Sequence, residues 1–135
     1  YVEDTGMPLI YREAPLNSIW EGSGNVICLD VLRTLAKAPM SGEVLQSELA
    51  AATGQYRGYD AALRAHMDRF GNTREEANAR WFVESLATLL TASVLIRQAP
   101  SEVSAAYVAT RVVGERGRTA GAINGLDTRS LLSRL

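Results

Sequence analysis

Asn17-Ser18-Ile19-Trp20-Glu21-Gly22-Ser23-Gly24-Asn25, followed by the apolar run Val26 to Leu35, is the stretch around which the chain is organised. A carboxylate stands between an aromatic residue and a Gly-Ser-Gly turn, and a helix is expected immediately after it. Ser23 or Asn25 can cap that helix, a side-chain oxygen accepting from a free N–H of the first turn. Glu21 then lies just before a helix N-terminus, where free N–H groups and the helix dipole favour an ionised carboxylate. Ile19 and Trp20 act in the opposite sense, because apolar walls raise a carboxylate's pKa. A base held between those influences on a sharp glycine turn suits proton abstraction. The glycines also let a substrate or cofactor approach the backbone closely. From local chemistry alone, the same residues fit an ordinary loop and N-cap better.

Working outward, Met7 to Ala14 reads as a short helix with Pro8 in its first turn, and Pro15 ends it. After Asn25 the helix runs to about Ala38. Val26, Ile27, Leu29, Val31, Leu32 and Leu35 surround most of its circumference, which predicts deep burial. Asp30 and Arg33 are the exceptions, spaced for an ion pair on one face. Pro39-Met40-Ser41-Gly42 is a break. Ser41 is expected to cap a helix to about Thr53, closed by Gly54. The next helix, about Arg57 to Phe70, carries Tyr59, Ala62, Leu63, His66 or Met67, and Phe70 at three- and four-residue steps.

Thr73-x-x-Glu76 is a capping box and opens the longest helix, about Arg74 to Gln98. Trp81 and Phe82 within it read as core. Glu84, Thr88 and Thr91 form a thin polar stripe. A helix at about Glu102 to Val113 follows, then a Gly- and Arg-rich loop from Gly114 to Gly125. Asp127 is expected to cap a final helix through Leu135. No strand candidate emerges, so the fold class is all-α, a helical bundle of about five longer helices with short ones at each end.

The 135 residues amount to one domain, with an ordinary 47% apolar content. The formal net charge of −1 gives no global electrostatic case for nucleic acid. The charge is uneven: residues 1–54 hold three basic against seven acidic residues, and 55–135 hold eleven against eight. All basic residues but Lys37 are arginines, suited to phosphate and carboxylate alike. Cys28 is the only cysteine, which excludes a disulfide within the chain and a cysteine-based metal site, so no metal is expected. His66, the only histidine, leaves a multi-His site or a Ser-His-Asp triad little to stand on and is expected on a helix surface. No signal peptide and no apolar run near 20 residues without polar interruption is seen, so the expectation is a cytoplasmic protein with no membrane contact.

The stretch Tyr11-Arg12-Glu13-Ala14-Pro15-Leu16-Asn17-Ser18-Ile19-Trp20-Glu21-Gly22-Ser23-Gly24-Asn25-Val26 resembles the catalytic segment of the acyl-CoA dehydrogenase superfamily. There an aromatic-Glu-Gly-Thr/Ser motif precedes a C-terminal helix. Continued through Cys28-Leu29-Asp30-Val31-Leu32-Arg33, it is most similar to the AidB-like branch. The likeness is dense over about residues 1 to 35 and looser from 36 to 135.

It implies a C-terminal helical domain, with 1–38 as its catalytic and flavin-contacting segment and 39–135 as an AidB-like helical extension. It further implies FAD as cofactor, acyl-CoA as substrate and Glu21 as the base. Trp20, Gly22 and Arg33 are implied at the substrate, with Ser23, Gly24 and Asn25 at the flavin. Gly24 departs from the commoner residues at its position, Asn25 replaces the more frequent Gln, and Trp20 replaces the usual Tyr. The chain opens at Tyr1 without an initiator Met, so a fragment is expected. The family's N-terminal helical and β-barrel domains would then come from a parent protein or a companion chain, in a homo-oligomer.

Two other readings stand beside this one. Arg111, Arg116 and Arg118, among Gly114, Gly117 and Gly121, are candidate nucleic-acid contacts, since flexible arginines can bind DNA phosphates. The AidB-like branch is associated with double-stranded DNA through its C-terminal region; the same loop also fits a plain surface segment. Alternatively the helix carrying Trp81 to Ile96 could pair with another subunit, in a helical oligomerisation domain without chemistry of its own.

Overall fold

The computed structural model describes residues 2–20, 22–71, 75–119 and 122–133. Among them every regular element is helical, as an all-α bundle requires. Helix α1 spans Met7–Glu13 and runs into a 3-10 turn at Ala14–Ser18. Pro15 thus does not simply end the helix: it sits in the first turn of the 3-10 segment, where its missing N–H costs nothing. Helix α2 spans Gly24–Lys37, α3 Pro39–Ala50 and α4 Arg57–Phe70. Pro39 itself starts α3, which places Ser41 inside the helix and not at its cap.

A 3-10 turn at Glu76–Asn78 leads into α5, Ala79–Gln98. Thr73 and Arg74, expected to open this helix, lie outside the described residues. Helix α6, Ser101–Tyr107, widens into a π-helical segment at Val108–Val113, where one continuous α-helix was expected. The short α7, Thr128–Leu132, closes the described chain. Asp127 caps α7 as expected, its carboxylate accepting from the Ser130 N–H at 3.1 Å; Leu135 lies outside the described residues.

Helix α5 is the axis of the bundle. It packs against α2, α3, α4, α6 and the π-helical segment. Its Phe82, Leu86, Leu89, Ala92 and Ile96 join Leu35, Leu49, Tyr59, Phe70 and Val108 in one core. Helical residues Glu76–Gln98 contain an 18-residue stretch of mean hydropathy 1.4, apolar enough by length and composition to cross a membrane, though Arg80 and Glu84 interrupt the helix with charge. The packing of α5 on its neighbours is that of a bundle's core helix.

The carboxyl end of α3 shows how the bundle is fastened. The last carbonyls of a helix have no intrahelical donor. Here the Glu48 carbonyl accepts from the Ser93 hydroxyl at 2.6 Å, that of Leu49 from the Tyr59 phenol at 2.7 Å, and that of Ala50 from the Thr53 hydroxyl at 2.7 Å. Arg97 pairs with Glu48 beside them. Gly54 then turns the chain at φ +84°, and its N–H donates to the Asp60 carboxylate.

Two side chains depart from their expected places. His66 is buried, its ring between Phe70 and Phe82 at centroid distances of 5.1 and 5.3 Å and its Nδ1 2.9 Å from the Ser85 hydroxyl. Trp81, read as core, is half-exposed, and the Arg69 guanidinium lies over its ring at 3.4 Å.

Candidate functional site

The approach to α2 is built from short local bonds. The N–H groups of Ile19 and Trp20 both donate to the Leu16 carbonyl, and that of Gly22 donates to Ile19. Gly22 takes φ +112°, a conformation L side chains rarely adopt, so glycine is required at this point of the turn. Glu21, the expected base, lies outside the described residues. Trp20 is 65% exposed and Ile19 67% exposed. With Met7, Leu9, Ile10, Tyr11 and Leu16 they make an apolar surface on a segment whose two elements pack chiefly on each other.

Ser23 holds the N-cap position of α2 in an extended conformation, but its side chain makes no cap bond. The first bond closing the helix runs from the Ile27 N–H to the Ser23 carbonyl. The N–H groups ahead of it, those of Gly24, Asn25 and Val26, have no carbonyl available within the helix. Asn25 does not cap either. Its Oδ1 accepts from Nη1 of Arg80 on α5, at 3.0 Å.

Asn25 and Arg80 border a cleft of about 470 Å³ between the start of α2 and the start of α5, lined also by Cys28, Leu29, Glu76, Ala77 and Ala79. The Asn25 amide and the Arg80 guanidinium in the cleft, beside a helix start with free N–H groups, are donors that suit phosphate oxygens, while the Glu76 carboxylate in the same cleft weighs against them. The turn therefore fits the diphosphate end of a dinucleotide such as FAD in the chemistry of its donors. Sequence reasoning missed Arg80. It lies 55 residues from Asn25, and nothing local to it marks a partner at that distance.

The remaining candidate residues are distributed elsewhere. Arg33 is exposed and donates to Asp30 at 2.8 Å, about two turns into α2 and away from its first turn. Arg111 lies on the π-helical segment beside a separate, shallower groove of about 240 Å³ that also takes in Trp81, Glu84 and Thr88. Arg116 is tied back by its Nε to the Thr110 carbonyl at 3.0 Å. Arg118 is exposed in the loop beyond, and Gly121 lies outside the described residues. Among the described residues no group of acidic, histidine or cysteine side chains could hold a metal ion.

An all-α bundle whose second helix begins in a Trp-x-Gly-Ser-Gly-Asn turn has named relatives. Over part of its length, the chain is homologous to members of the acyl-CoA dehydrogenase superfamily. It is 43% identical over 76 residues, 56% of the chain, to AidB of Escherichia coli (strain K12), itself named as a candidate acyl-CoA dehydrogenase. It is 53% identical over 36 residues, 27% of the chain, to acyl-CoA dehydrogenase family member 11 of Caenorhabditis elegans. The matches span 14% and 6% of those proteins' lengths. No protein-family model matches the chain.

Proposed function

We propose that these residues form the C-terminal helical part of an FAD-dependent acyl-CoA dehydrogenase, which removes a proton from the α-carbon and a hydride from the β-carbon of an acyl thioester. The observation that carries this reading is the exposed apolar surface of residues 7–20, which leads directly into the first turn of α2. Such a surface suits one wall of a site whose other walls come from the rest of a longer protein. The homology to acyl-CoA dehydrogenases supports the reading.

Glu21 takes the α-proton, which a thioester makes only weakly acidic, so the base must be held in place. FAD, when bound, supplies the acceptor for the β-hydride. Gly22 gives the turn its shape and leaves the backbone open to the thioester. Trp20 and Ile19 offer apolar surface that excludes water from the reacting carbons. Ser23, Gly24 and Asn25 contact the cofactor from the positive end of α2, and Arg33 stands on the substrate side.

The test is Glu21→Gln in the full-length protein. Acyl-CoA-dependent reduction of an artificial electron acceptor should fall by about a hundredfold or more, the range for removing a general base, while the flavin content stays unchanged. Retained turnover would remove Glu21 from its role. A full-length protein that carries and binds no flavin would overturn the reading altogether.

A further inference from the structure

We propose that Arg80 is a positioning residue of the cofactor-contacting turn, fixing the Asn25 side chain so that its amide group is presented as a donor to FAD. This rests on the dehydrogenase reading above. A guanidinium has donors only, so the Asn25 atom 3.0 Å from Arg80 Nη1 is the carbonyl oxygen Oδ1. The Asn25 NH2 group is thereby turned away from Arg80. A free asparagine turns either end outward with equal ease, whereas here the oxygen is held toward Arg80 and the NH2 group is left to donate to phosphate or ring-carbonyl oxygens.

The backbone beside Asn25 is matched to the guanidinium. A Cβ built on Gly24 would lie 3.4 Å from Arg80 Nη1 and 3.8 Å from its Cζ. These are ordinary van der Waals distances, so the Gly24 backbone packs directly beside the guanidinium. Charge gives a further argument. Arg80 has no carboxylate in ion-pair distance among the described residues, although Glu76 borders the same cleft. A cation beside the positive end of a 14-residue helix is unfavourable by itself and is relieved by an anion between them. The contact also joins α2 to α5, so the cofactor turn is held by the bundle as well as by its own sequence.

The experiment uses full-length protein stripped of flavin and titrated with FAD. Arg80→Gln should weaken FAD binding by about tenfold or more, the scale of a lost charge-assisted bond, without changing helix content. Arg80→Lys should recover only part of the affinity, since it keeps the charge but not the planar fork. Asn25→Ala should cost a similar factor, and the double variant should lose no more than the larger single loss. Wild-type affinity in Arg80→Gln, or losses that simply multiply in the double variant, would overturn the proposal. Should Arg80→Gln not fold, Asn25→Ala, an exposed substitution, decides: unchanged FAD affinity overturns the proposal. A wild-type protein that binds no FAD would instead overturn the dehydrogenase reading on which this depends.

Discussion

The phenol of Tyr59 donates to the Leu49 carbonyl at 2.7 Å, and the Tyr59 side chain is 0% exposed. One bond thus satisfies both the hydroxyl of α4's most buried residue and an orphan carbonyl at the end of α3. Tyr59→Phe leaves that carbonyl unpaired in the core. It should cost about 1–3 kcal/mol, read as a lowered urea midpoint with an unchanged slope. Burial also pushes the Tyr59 phenol above its ordinary 10.0. The folded state therefore favours the neutral form. Its stabilisation is complete below pH 10.0 and is lost as the pH rises past that value toward the folded pKa. Wild-type stability should fall steeply in this alkaline window, and Tyr59→Phe should remove that part of the slope. An identical slope in both proteins would contradict this.

Gly58 and Val113 set how closely α4 meets the π-helical segment. A Cβ on Gly58 would stand 2.5 Å from Val113 Cγ2. Glycine to alanine inside an exposed helix is worth up to about 1 kcal/mol of stabilisation. Here the sign should reverse, because Val113 is β-branched and has few other rotamers. Gly58→Ala alone should destabilise by about 1 kcal/mol. Combining it with Val113→Ala should recover most of the helix gain, as a double-mutant cycle by denaturant titration would show. Additive effects would mean the contact is not the cause.

How much of this was legible in the chain depends on the range of the interaction. Bundle class, the limits of α4 and the Asp127 cap follow from periodicity and turn chemistry within a few residues, and the structure has them. His66 is expected on a helix surface, and apolar spacing does not choose between 66 and 67 for the buried position. The choice is made by Ser85 and Phe82 on another helix. The π-helical widening is likewise not legible, since Val108–Val113 has the composition of ordinary helix; the segment packs on α4 and α5, which lie elsewhere in the chain. At the candidate site, the turn and its glycines were readable. Arg80 was not, because its partner lies on another helix 55 residues away. Side-chain caps at Ser23 and Ser41 were expected and are absent: Ser23 leaves its helix end open, and Pro39 starts α3 ahead of Ser41.

Asp127 titrates below its ordinary 3.8, chiefly through the Ser130 hydroxyl and then the Ser130 N–H. A depressed carboxylate stabilises the fold above its unfolded pKa, and the contribution disappears as the pH falls through the folded value. The cap on α7 should hold at neutral pH and release only below 3.8. Because α7 touches mainly α6, the loss should be local. Amide exchange at residues 128–132 should accelerate in acid while α5 stays protected. Asp127→Asn should flatten that pH dependence. Protection of 128–132 that does not change across this range would refute the cap's role.

The apolar surface of residues 7–20 also has a colloidal consequence. Water around Ile10, Ile19 and Trp20 costs free energy in proportion to area, about 25 cal/mol per Å². A net charge of −1 offers almost no mutual repulsion to oppose contact between copies. A polypeptide of these residues alone therefore carries its own solubility ceiling, and concentration, before temperature, sets the limit at which it stays dispersed.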